Sequence, residues 1–311
     1  MERILIVLVA CGLAAAPAQA GPNRTWVSGT GTDSGACTRA APCRTFAFAL
    51  TQTNAGGEIV VLDPAGYGPL TITKAISIVN DGAGTAAIGG GSALTAVVIN
   101  AGATDSVHLR GLTIEGTGGG TTNGIIFNTG GNLAIENCVV RNFLFGGIFI
   151  APTGSSTPMS FSVSNTIASN NGLNGINVQG NGNPITGVLS RVTANNNGNI
   201  GIGVSSITGS LNVTIVGSEA SNNGGAGVNA GDAAFSNGPT AVMLRSVVAS
   251  NNKTGLEADG SGVVLRVAQS VVTGNTTGVN TSGGGTIKSY GDNNIDGNST
   301  NGSPTATIPT H

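Results

Sequence analysis

The chain has 311 residues and a formal net charge of −2, and it contains 52 Gly, 39% hydrophobic and only 8% charged residues. Charged residues make up about 25% of an ordinary globular domain, and low charge with ample apolar content excludes a highly charged disordered chain. The near balance of 12 basic and 14 acidic residues argues against a nucleic-acid partner, and the glycines lack the three-residue period of collagen.

The N-terminal segment, residues 1–20, is predicted to be a signal peptide. Arg3 precedes an apolar run over residues 4–16, and a small-x-small sequence fits a cleavage site that would leave Gly21 as the mature N-terminus. A lipoprotein signal with a lipid on Cys11 is the alternative, although its hydrophobic segment would be very short. Because no later segment reaches the length of a membrane span, we expect a secreted protein, periplasmic or extracellular, with no membrane span.

Residues 21–57 are predicted to form an N-terminal cap that carries a disulfide and a helix. Cys37 and Cys43 lie close together in the sequence, and in an oxidising compartment such a pair is typical of a disulfide that closes a small loop. A metal site would need two further ligands nearby, and the sequence offers none. Cys138 stands in an apolar strand pattern, which predicts a buried, unreactive thiol.

The helix of this cap is predicted over residues 42–54. Its first residue is a proline, which suits the first turn of a helix, and Gly56 ends it. Phe46, Ala49 and Leu50 share one face. An amphipathic helix of this kind would cover the strand edges that are exposed at the open end of a stacked β-structure.

A Gly followed by an apolar residue recurs from residue 124 onward at intervals of 23, 28, 26, 26, 28 and 23 residues. The repeated pairs begin at Gly124, Gly147, Gly175, Gly201, Gly227, Gly255 and Gly278. Each repeat has room for short strands but not for a helix, and it is too short for a propeller blade of about 40 residues. The sequence therefore predicts an all-β parallel β-helix over residues 58–302, with roughly ten turns, or rungs, spaced by about 4.8 Å. Residues 303–311 are predicted to be a C-terminal tail.

An Asn stands a few residues before most of these glycines. The set comprises Asn142, Asn170, Asn196, Asn222, Asn251 and Asn275. Asn tolerates the left-handed backbone of a sharp corner, and amides stacked on successive rungs can hydrogen-bond to each other. We interpret the set as a structural ladder. Sugar binding by the same residues is the alternative, which their regular placement disfavours.

Three segments suggest a family. They are residues 42–46 (PCRTF), 55–63 (AGGEIVVLD) and 291–298 (GDNNIDGN). With them the chain resembles bacterial right-handed parallel β-helix repeat proteins of the pectin-lyase-like superfamily over essentially its whole mature length. The resemblance implies a right-handed solenoid. It implies no single activity, because the superfamily includes pectate lyases, polygalacturonases, esterases and proteins with no assigned reaction.

Catalysis on this fold depends on charged residues in defined positions. Lyases of the superfamily typically hold calcium with carboxylates on adjacent rungs and use Arg or Lys as a base, whereas hydrolases need two or three converging carboxylates. Alignment of the repeats instead gives three opposite-charge pairs: Arg110 with Glu136, Arg141 with Glu115, and Arg191 with Glu219. We interpret these pairs as modest cross-strand contacts, and no catalytic residue is assigned.

Glu257 and Asp259 have no such partner in this alignment. They are two residues apart in a predicted strand, so both side chains point outward. With the equivalent positions of neighbouring repeats they form a candidate ligand-binding strip, which comprises Asn177, Gln179, Asn229, Asp232, Glu257, Asp259 and Asn280. The strip suits hydrogen bonding to a sugar chain, or one calcium ion held by Glu257 and Asp259. No Arg, Lys or His aligns with it as a base.

These observations favour a secreted, non-catalytic extracellular or envelope protein that contacts polysaccharide or another cell-surface component. The alternative is a polysaccharide lyase or glycoside hydrolase that acts on an acidic polysaccharide. That activity would need at least three unpaired carboxylates and a base on one strip. No cofactor is required, and calcium is possible.

Overall fold

The computed structural model describes residues 21–90, 94–116, 120, 122–153, 157–231 and 238–309. The predicted signal peptide, including Cys11, and the strip residue Asp232 lie outside the described residues. Within these ranges, no helix is long and apolar enough to cross a membrane.

The described residues form one helix, α1 (Phe46–Gln52), and 29 strands. In chain order the strands are β1 (Arg24–Val27), β2 (Gly57–Val61), β3 (Ala65–Gly66), β4 (Leu70–Ile72), β5 (Ile76–Val79), β6 (Ala86–Gly89), β7 (Thr95–Asn100), β8 (Ser106–Arg110), β9 (Leu112–Glu115), β10 (Asn123–Thr129), β11 (Asn132–Glu136), β12 (Val139–Arg141), β13 (Gly146–Ile150), β14 (Met159–Ser164), β15 (Ile167–Ser169), β16 (Ile176–Asn181), β17 (Ile185–Ser190), β18 (Ile202–Thr208), β19 (Leu211–Val216), β20 (Ala226–Gly231), β21 (Thr240–Arg245), β22 (Val248–Ser250), β23 (Thr254–Asp259), β24 (Val263–Ala268), β25 (Val271–Thr273), β26 (Thr277–Ser282), β27 (Thr286–Ser289), β28 (Asn294–Ile295) and β29 (Ala306–Thr307).

The strands assemble into three parallel sheets, which the chain visits in turn. Sheet A has 12 strands in the order β1-β2-β5-β8-β11-β14-β17-β19-β21-β24-β27-β29, and sheet C has nine in the order β4-β7-β10-β13-β16-β18-β20-β23-β26. Sheet B has two sections, β3-β6-β9-β12-β15 and β22-β25-β28, which single bridges through Thr193 and Glu219 connect. The predicted all-β parallel β-helix is confirmed. The terminal strands β1 and β29 lie outside the predicted limits 58–302, and both join sheet A.

The core consists of columns of aliphatic side chains that stack from rung to rung. One inward column of sheet A, read along the solenoid, is Leu109, Ile135, Val163, Leu189, Ile215, Leu244 and Val267. Every member is buried, because alternate residues of a strand point to opposite faces and the inward ones here are β-branched or aliphatic.

The helix α1 covers the first rungs, and its buried residues are Phe46, Ala49 and Leu50, as predicted. It begins later than the predicted residue 42. Thr45 is its N-cap and accepts a hydrogen bond from the Phe48 N–H, while the side chain of Asp33 binds the N–H groups of residues 44 and 45 at 2.8 and 2.9 Å and holds that segment outside the helix.

Cys37 and Cys43 form a disulfide, whereas Cys138 is a free, buried cysteine. Burial raises the pKa of the Cys138 thiol to about 11. A thiol with this pKa is almost entirely protonated at neutral pH and is a poor nucleophile.

We expect a thiol reagent to label only Cys138 in unfolded, unreduced protein that begins at Gly21, and to label nothing in the folded protein. Mass spectrometry of the labelled protein measures the number of modified cysteines. Modification of Cys37 and Cys43 without prior reduction would contradict the disulfide.

The asparagine ladder lies one residue after most of the predicted positions. Five of the six predicted residues, all except Asn275, have positive φ values between 56° and 64° and form the corner itself. The stack of amides comprises Asn171, Asn197, Asn223, Asn252, Asn275 and Asn298, of which all but the half-buried Asn298 are buried. The prediction is therefore wrong for Asn142, Asn170, Asn196, Asn222 and Asn251 as ladder residues, because a left-handed corner residue turns the chain so that the next side chain points inward.

The repeated Gly is explained by the same ladder. A Cβ at Gly201 would lie 2.7 Å from the Asn223 Nδ2 and 2.7 Å from the Gly227 carbonyl oxygen. At Gly147, Gly175, Gly227, Gly255 and Gly278 the added Cβ would lie 2.7 to 2.9 Å from a ladder amide, whereas at Gly124 the Phe143 ring takes the place of the amide at 2.9 Å. Only a residue without a side chain fits where a ladder amide of the next rung packs against the backbone.

Candidate functional site

The outer face of sheet C carries an unbroken column of residues, one from each of its nine strands. In register order this sheet C column is Thr71, Val98, Ile126, Phe149, Asn177, Gly203, Asn229, Glu257 and Asn280. Its members point outward because their strand neighbours, such as Leu256 and Ala258 beside Glu257, are fully buried. The first part of the column is mainly apolar and the second part is polar.

A cavity of about 300 Å³ opens over the junction of the two parts. Phenyl rings of Phe145 and Phe149 and the aliphatic side chains of Ile126 and Leu173 contribute to its wall. Phe145 is 46% exposed and Leu173 is 45% exposed. Such a cluster of exposed large apolar side chains is uncommon on a soluble protein and is typical of a ligand or partner surface.

Amide side chains complete the same cavity. Asn123, Asn174 and Asn177 line it together with the apolar residues. The Asn123 Oδ1 accepts a hydrogen bond from the Gly146 N–H at 3.2 Å, and the Asn174 Oδ1 accepts one from the Ile200 N–H at 3.2 Å. The Asn123 NH₂ group also donates to the Thr122 hydroxyl at 3.3 Å. These contacts hold two of the amides in place, and an amide NH₂ group carries two hydrogens for donation.

The sequence analysis missed the apolar part of this site, although a signal was present. Phe149 follows Gly147 by two residues, just as Asn177 follows Gly175. Phe149 and Asn177 are direct register partners in sheet C. Extending the predicted strip by one more repeat toward the N-terminus would have placed an aromatic side chain on it.

The polar part of the column is organised around Glu257. Its two carboxylate oxygens accept hydrogen bonds from the Nδ2 groups of Asn229 and Asn280, each at 3.0 Å. The Asp259 carboxylate accepts a hydrogen bond from the Ser282 hydroxyl, and Gln179 is the register partner of Ser205. The structure thus aligns Asn177, Asn229, Glu257 and Asn280 in one column. Gln179 and Asp259 lie beside this column, because each follows a column residue by two positions in its strand.

The side chains of this polar part can form hydrogen bonds with a ligand. Glu257 is oriented by two amides, and the sheet C column contains no Arg, Lys or His. Among the described residues, no three His, Cys, Asp or Glu side chains come together as metal ligands. Calcium binding by Glu257 and Asp259 stays a prediction, because calcium also takes backbone carbonyl and water oxygens as ligands.

Charged residues on the other faces form ion pairs, one of which corrects a prediction. Arg141 pairs with Glu115 at 3.3 Å as predicted, whereas Arg110 pairs with Asp81 at 3.0 Å, although Glu136 is its register partner.

The predicted Arg191–Glu219 pair is wrong. Glu219 lies in register with Thr193 and accepts a hydrogen bond from Asn195, while Arg191 donates to the Asn165 side chain. These two rungs are offset by 26 residues both before and after the corner, as Ser190–Val216 and Thr193–Glu219 show, whereas the predicted pair assumed an offset of 28.

The fold and the ladder define a parallel β-solenoid, and the family follows from comparison with known proteins. The family model for the right-handed β-helix region matches residues 123–300, and the chain belongs to this family. The structure is similar to that of pectate lyase Pel9A, with a TM-score of 0.55 and 17% identity over 89% of this chain and 72% of that one. The A-module of the Azotobacter vinelandii mannuronan C-5 epimerase AlgE6 gives a TM-score of 0.43 and 15% identity over 81% of this chain and 89% of that one. No curated protein matches in sequence. At these identities the similarity shows the fold alone.

Proposed function

We propose that the protein is an exported, non-catalytic polysaccharide-binding protein whose ligand lies along the sheet C column. The observation that carries the proposal is the continuity of an aromatic-lined cavity with a strip of amide side chains on one rigid face.

Sugar rings match this combination chemically. The C–H face of a pyranose is apolar and packs against an aromatic ring, while the hydroxyls at its rim need donors and acceptors. Phe145 and Phe149 supply the rings, and Asn123, Asn174 and Asn177 supply amides at the same cavity. Binding sites for polar organic ligands commonly combine apolar walls with a few fixed polar groups.

The charge of the face favours a neutral sugar chain. Glu257 and Asp259 are the charged residues that the register places on the polar part. A uronate or sulfate group passing over them would be repelled, whereas a hydroxyl can donate to a carboxylate oxygen. We therefore assign a neutral, hydroxyl-rich polysaccharide to this site.

The proposal excludes depolymerisation because proton abstraction from a sugar needs a positioned base. Two amides hold the Glu257 carboxylate, and the sheet C column contains no Arg, Lys or His to act with it. Export is supported by the Cys37–Cys43 disulfide, since stable disulfides are typical of oxidising compartments.

We expect Phe149→Ala to weaken binding of a neutral polysaccharide about tenfold, because a lost aromatic contact of about 1–1.5 kcal/mol corresponds to that factor. Calorimetric titration with soluble neutral glucans, mannans and xylans measures the affinity, with polygalacturonate as the acidic comparison. Val188→Ala is the matched control, since Val188 is a 43% exposed aliphatic residue on sheet A. The affinity of the Val188→Ala variant for the neutral polysaccharide should equal that of the wild type.

Three results would contradict the proposal. The first is the absence of binding to every neutral polysaccharide, and the second is binding that Phe149→Ala and Val188→Ala weaken equally. The third is release of reducing or unsaturated ends from any polysaccharide, in calcium or in chelator, that Glu257→Gln abolishes.

A further inference from the structure

The four most exposed large apolar side chains among the described residues lie on one corner of the solenoid. They are Leu94, Leu144, Phe145 and Leu173, which are 70%, 57%, 46% and 45% exposed. All four stand where the chain passes from sheet B to sheet C, in the segments that lead into β7, β13 and β16. We call these four residues the apolar ridge.

Backbone hydrogen bonds join the apolar ridge into one line. The Thr122 N–H donates to the Leu94 carbonyl at 2.6 Å, and the Phe145 N–H donates to the Thr122 carbonyl at 2.8 Å. The Leu173 N–H donates to the Phe145 carbonyl at 2.6 Å. Because neighbouring rungs are about 4.8 Å apart, the ridge follows the solenoid axis over about 14 Å.

The surroundings of the ridge are uncharged. Leu94 borders a hollow of about 530 Å³, whose wall includes Pro69, Leu70 and Val98, and no charged residue of the described chain lines it. At the other end of the ridge the same corner continues with Asn199, whose N–H donates to the Leu173 carbonyl at 2.7 Å. The ridge is therefore apolar from its beginning beside α1 to Leu173.

The size and chemistry of the ridge disfavour a protein or a sugar as its partner. A stable protein–protein interface uses about 20–30 residues on each side, and the ridge has four. Leu94 and Leu144 offer a sugar neither an aromatic ring nor a hydrogen-bonding group, and neither of them lines the cavity on sheet C. Apolar side chains that project from a convex corner instead fit a fluid apolar phase, which adapts to their shape.

We propose that the apolar ridge docks the protein on a lipid bilayer. The leucine and phenylalanine side chains enter the boundary between head groups and acyl chains, as the apolar face of an interfacial helix does. The solenoid axis lies parallel to the bilayer, because the ridge runs along that axis. The proposal does not depend on the neutral-sugar site, since Leu94 and Leu144 are not part of its cavity.

The test measures vesicle binding by the exported chain that begins at Gly21, so that neither the signal peptide nor a lipid on Cys11 contributes. Vesicles of phosphatidylcholine, alone or mixed with phosphatidylglycerol, are floated with the protein at low and at high salt. Leu94→Ser/Leu144→Ser removes two side chains of the ridge. Ile167→Ser/Val248→Ser is the matched control, because it removes two aliphatic side chains, 42% and 37% exposed, from sheet B.

We expect the wild type to bind both kinds of vesicle with an affinity that changes little with salt, because the ridge carries no charge. The ridge variant should lose at least tenfold in partitioning, since burial of a single leucine side chain is worth about that factor. The control variant should change partitioning less than twofold. Both variants should melt near the wild-type temperature, because the replaced side chains are exposed, and the ridge variant should bind neutral polysaccharide as the wild type does.

A fluorescent variant locates the contact independently of these losses. The chain has a single Trp, Trp26, which lies on β1 of sheet A. With vesicles, the emission of Leu144→Trp should shift to shorter wavelength and be quenched by brominated lipid. The emission of the wild type, which comes from Trp26 alone, should stay unchanged.

Four outcomes would overturn the proposal. The first is the absence of vesicle binding by the wild type, and the second is an equal loss in the two double variants or equal quenching of Trp26. The third is self-association that only the ridge variant abolishes, without vesicle binding, which would assign the ridge to a second copy of the chain. The fourth is loss of neutral-polysaccharide binding in the ridge variant without vesicle binding, which would assign the ridge to the sugar site.

Discussion

Asn197→Leu should lower the free energy of unfolding by about 3 kcal/mol, because several buried polar groups lose their partners at about 1–3 kcal/mol each. The Asn197 Oδ1 accepts hydrogen bonds from the backbone N–H and the Nδ2 of Asn171, both at 3.1 Å. Its own Nδ2 donates to Asn223 at 3.0 Å and to the Ala168 carbonyl at 3.1 Å. Leucine is similar in size but can replace none of these bonds. Urea denaturation followed by circular dichroism measures the change.

The neighbouring residue is the matched control for this prediction. Asn196 is exposed and has φ of 56°. Asn196→Leu should therefore lower the free energy of unfolding by only about 1–2 kcal/mol, the cost of placing leucine in the left-handed region. Asn196→Gly should change stability little, because Gly adopts this conformation readily. If the two leucine variants unfold at the same urea concentration, the assignment of the ladder to Asn197 is wrong.

Gly201→Ala should also destabilise the protein by about 3 kcal/mol, near the upper end of the cost of inserting a methyl group into a packed interior. The added Cβ would lie 2.7 Å from the Asn223 Nδ2, 2.7 Å from the Gly227 carbonyl and 2.9 Å from the Ala194 carbonyl. Two of these contacts are to backbone, which cannot move without separating adjacent rungs. Thermal and urea unfolding measure the effect.

Gly66→Ala is the control for this variant. Gly66 lies in β3, and an added Cβ there would meet no atom within 4 Å. We expect its stability to stay within about 0.5 kcal/mol of the wild type. A Gly201→Ala variant as stable as Gly66→Ala would show that the close packing of the repeated glycine against the ladder is absent in solution.

The ladder shows which features the repeat spacing predicts and which it does not. Most repeats contain two consecutive asparagines, such as Asn196–Asn197 and Asn222–Asn223, and spacing alone does not tell which one forms the corner. Gly274 and Gly297 precede the ladder residues Asn275 and Asn298, and each has φ of 68°, so Gly takes the corner in these two repeats. In the repeat of Asn142 the single Asn takes the corner, with φ of 64°, and Phe143 follows it.

The candidate site was predicted in part, for a related reason. The alignment of Asn229, Glu257 and Asn280 follows directly from the repeated Gly, since all three stand two residues after it. The cavity beside Phe149 does not follow, because its wall includes Phe145 and Leu173 from corner segments of different length. The position of such residues depends on how each corner packs on the next.

The sequence by itself determined the period of the solenoid, the alternation of inward and outward residues, the disulfide pair and the buried face of α1. Each of these depends on interactions within one repeat or on spacing that recurs in every repeat. Only the tertiary structure decided which asparagines stack, that Glu219 bonds Asn195 rather than Arg191, that two amides hold Glu257, and that Arg266 stands beside Lys288. The physical reason is that these contacts join residues 22 to 29 positions apart, and the corners between them vary in length. Packing between rungs therefore sets the register that the chain spacing alone leaves open.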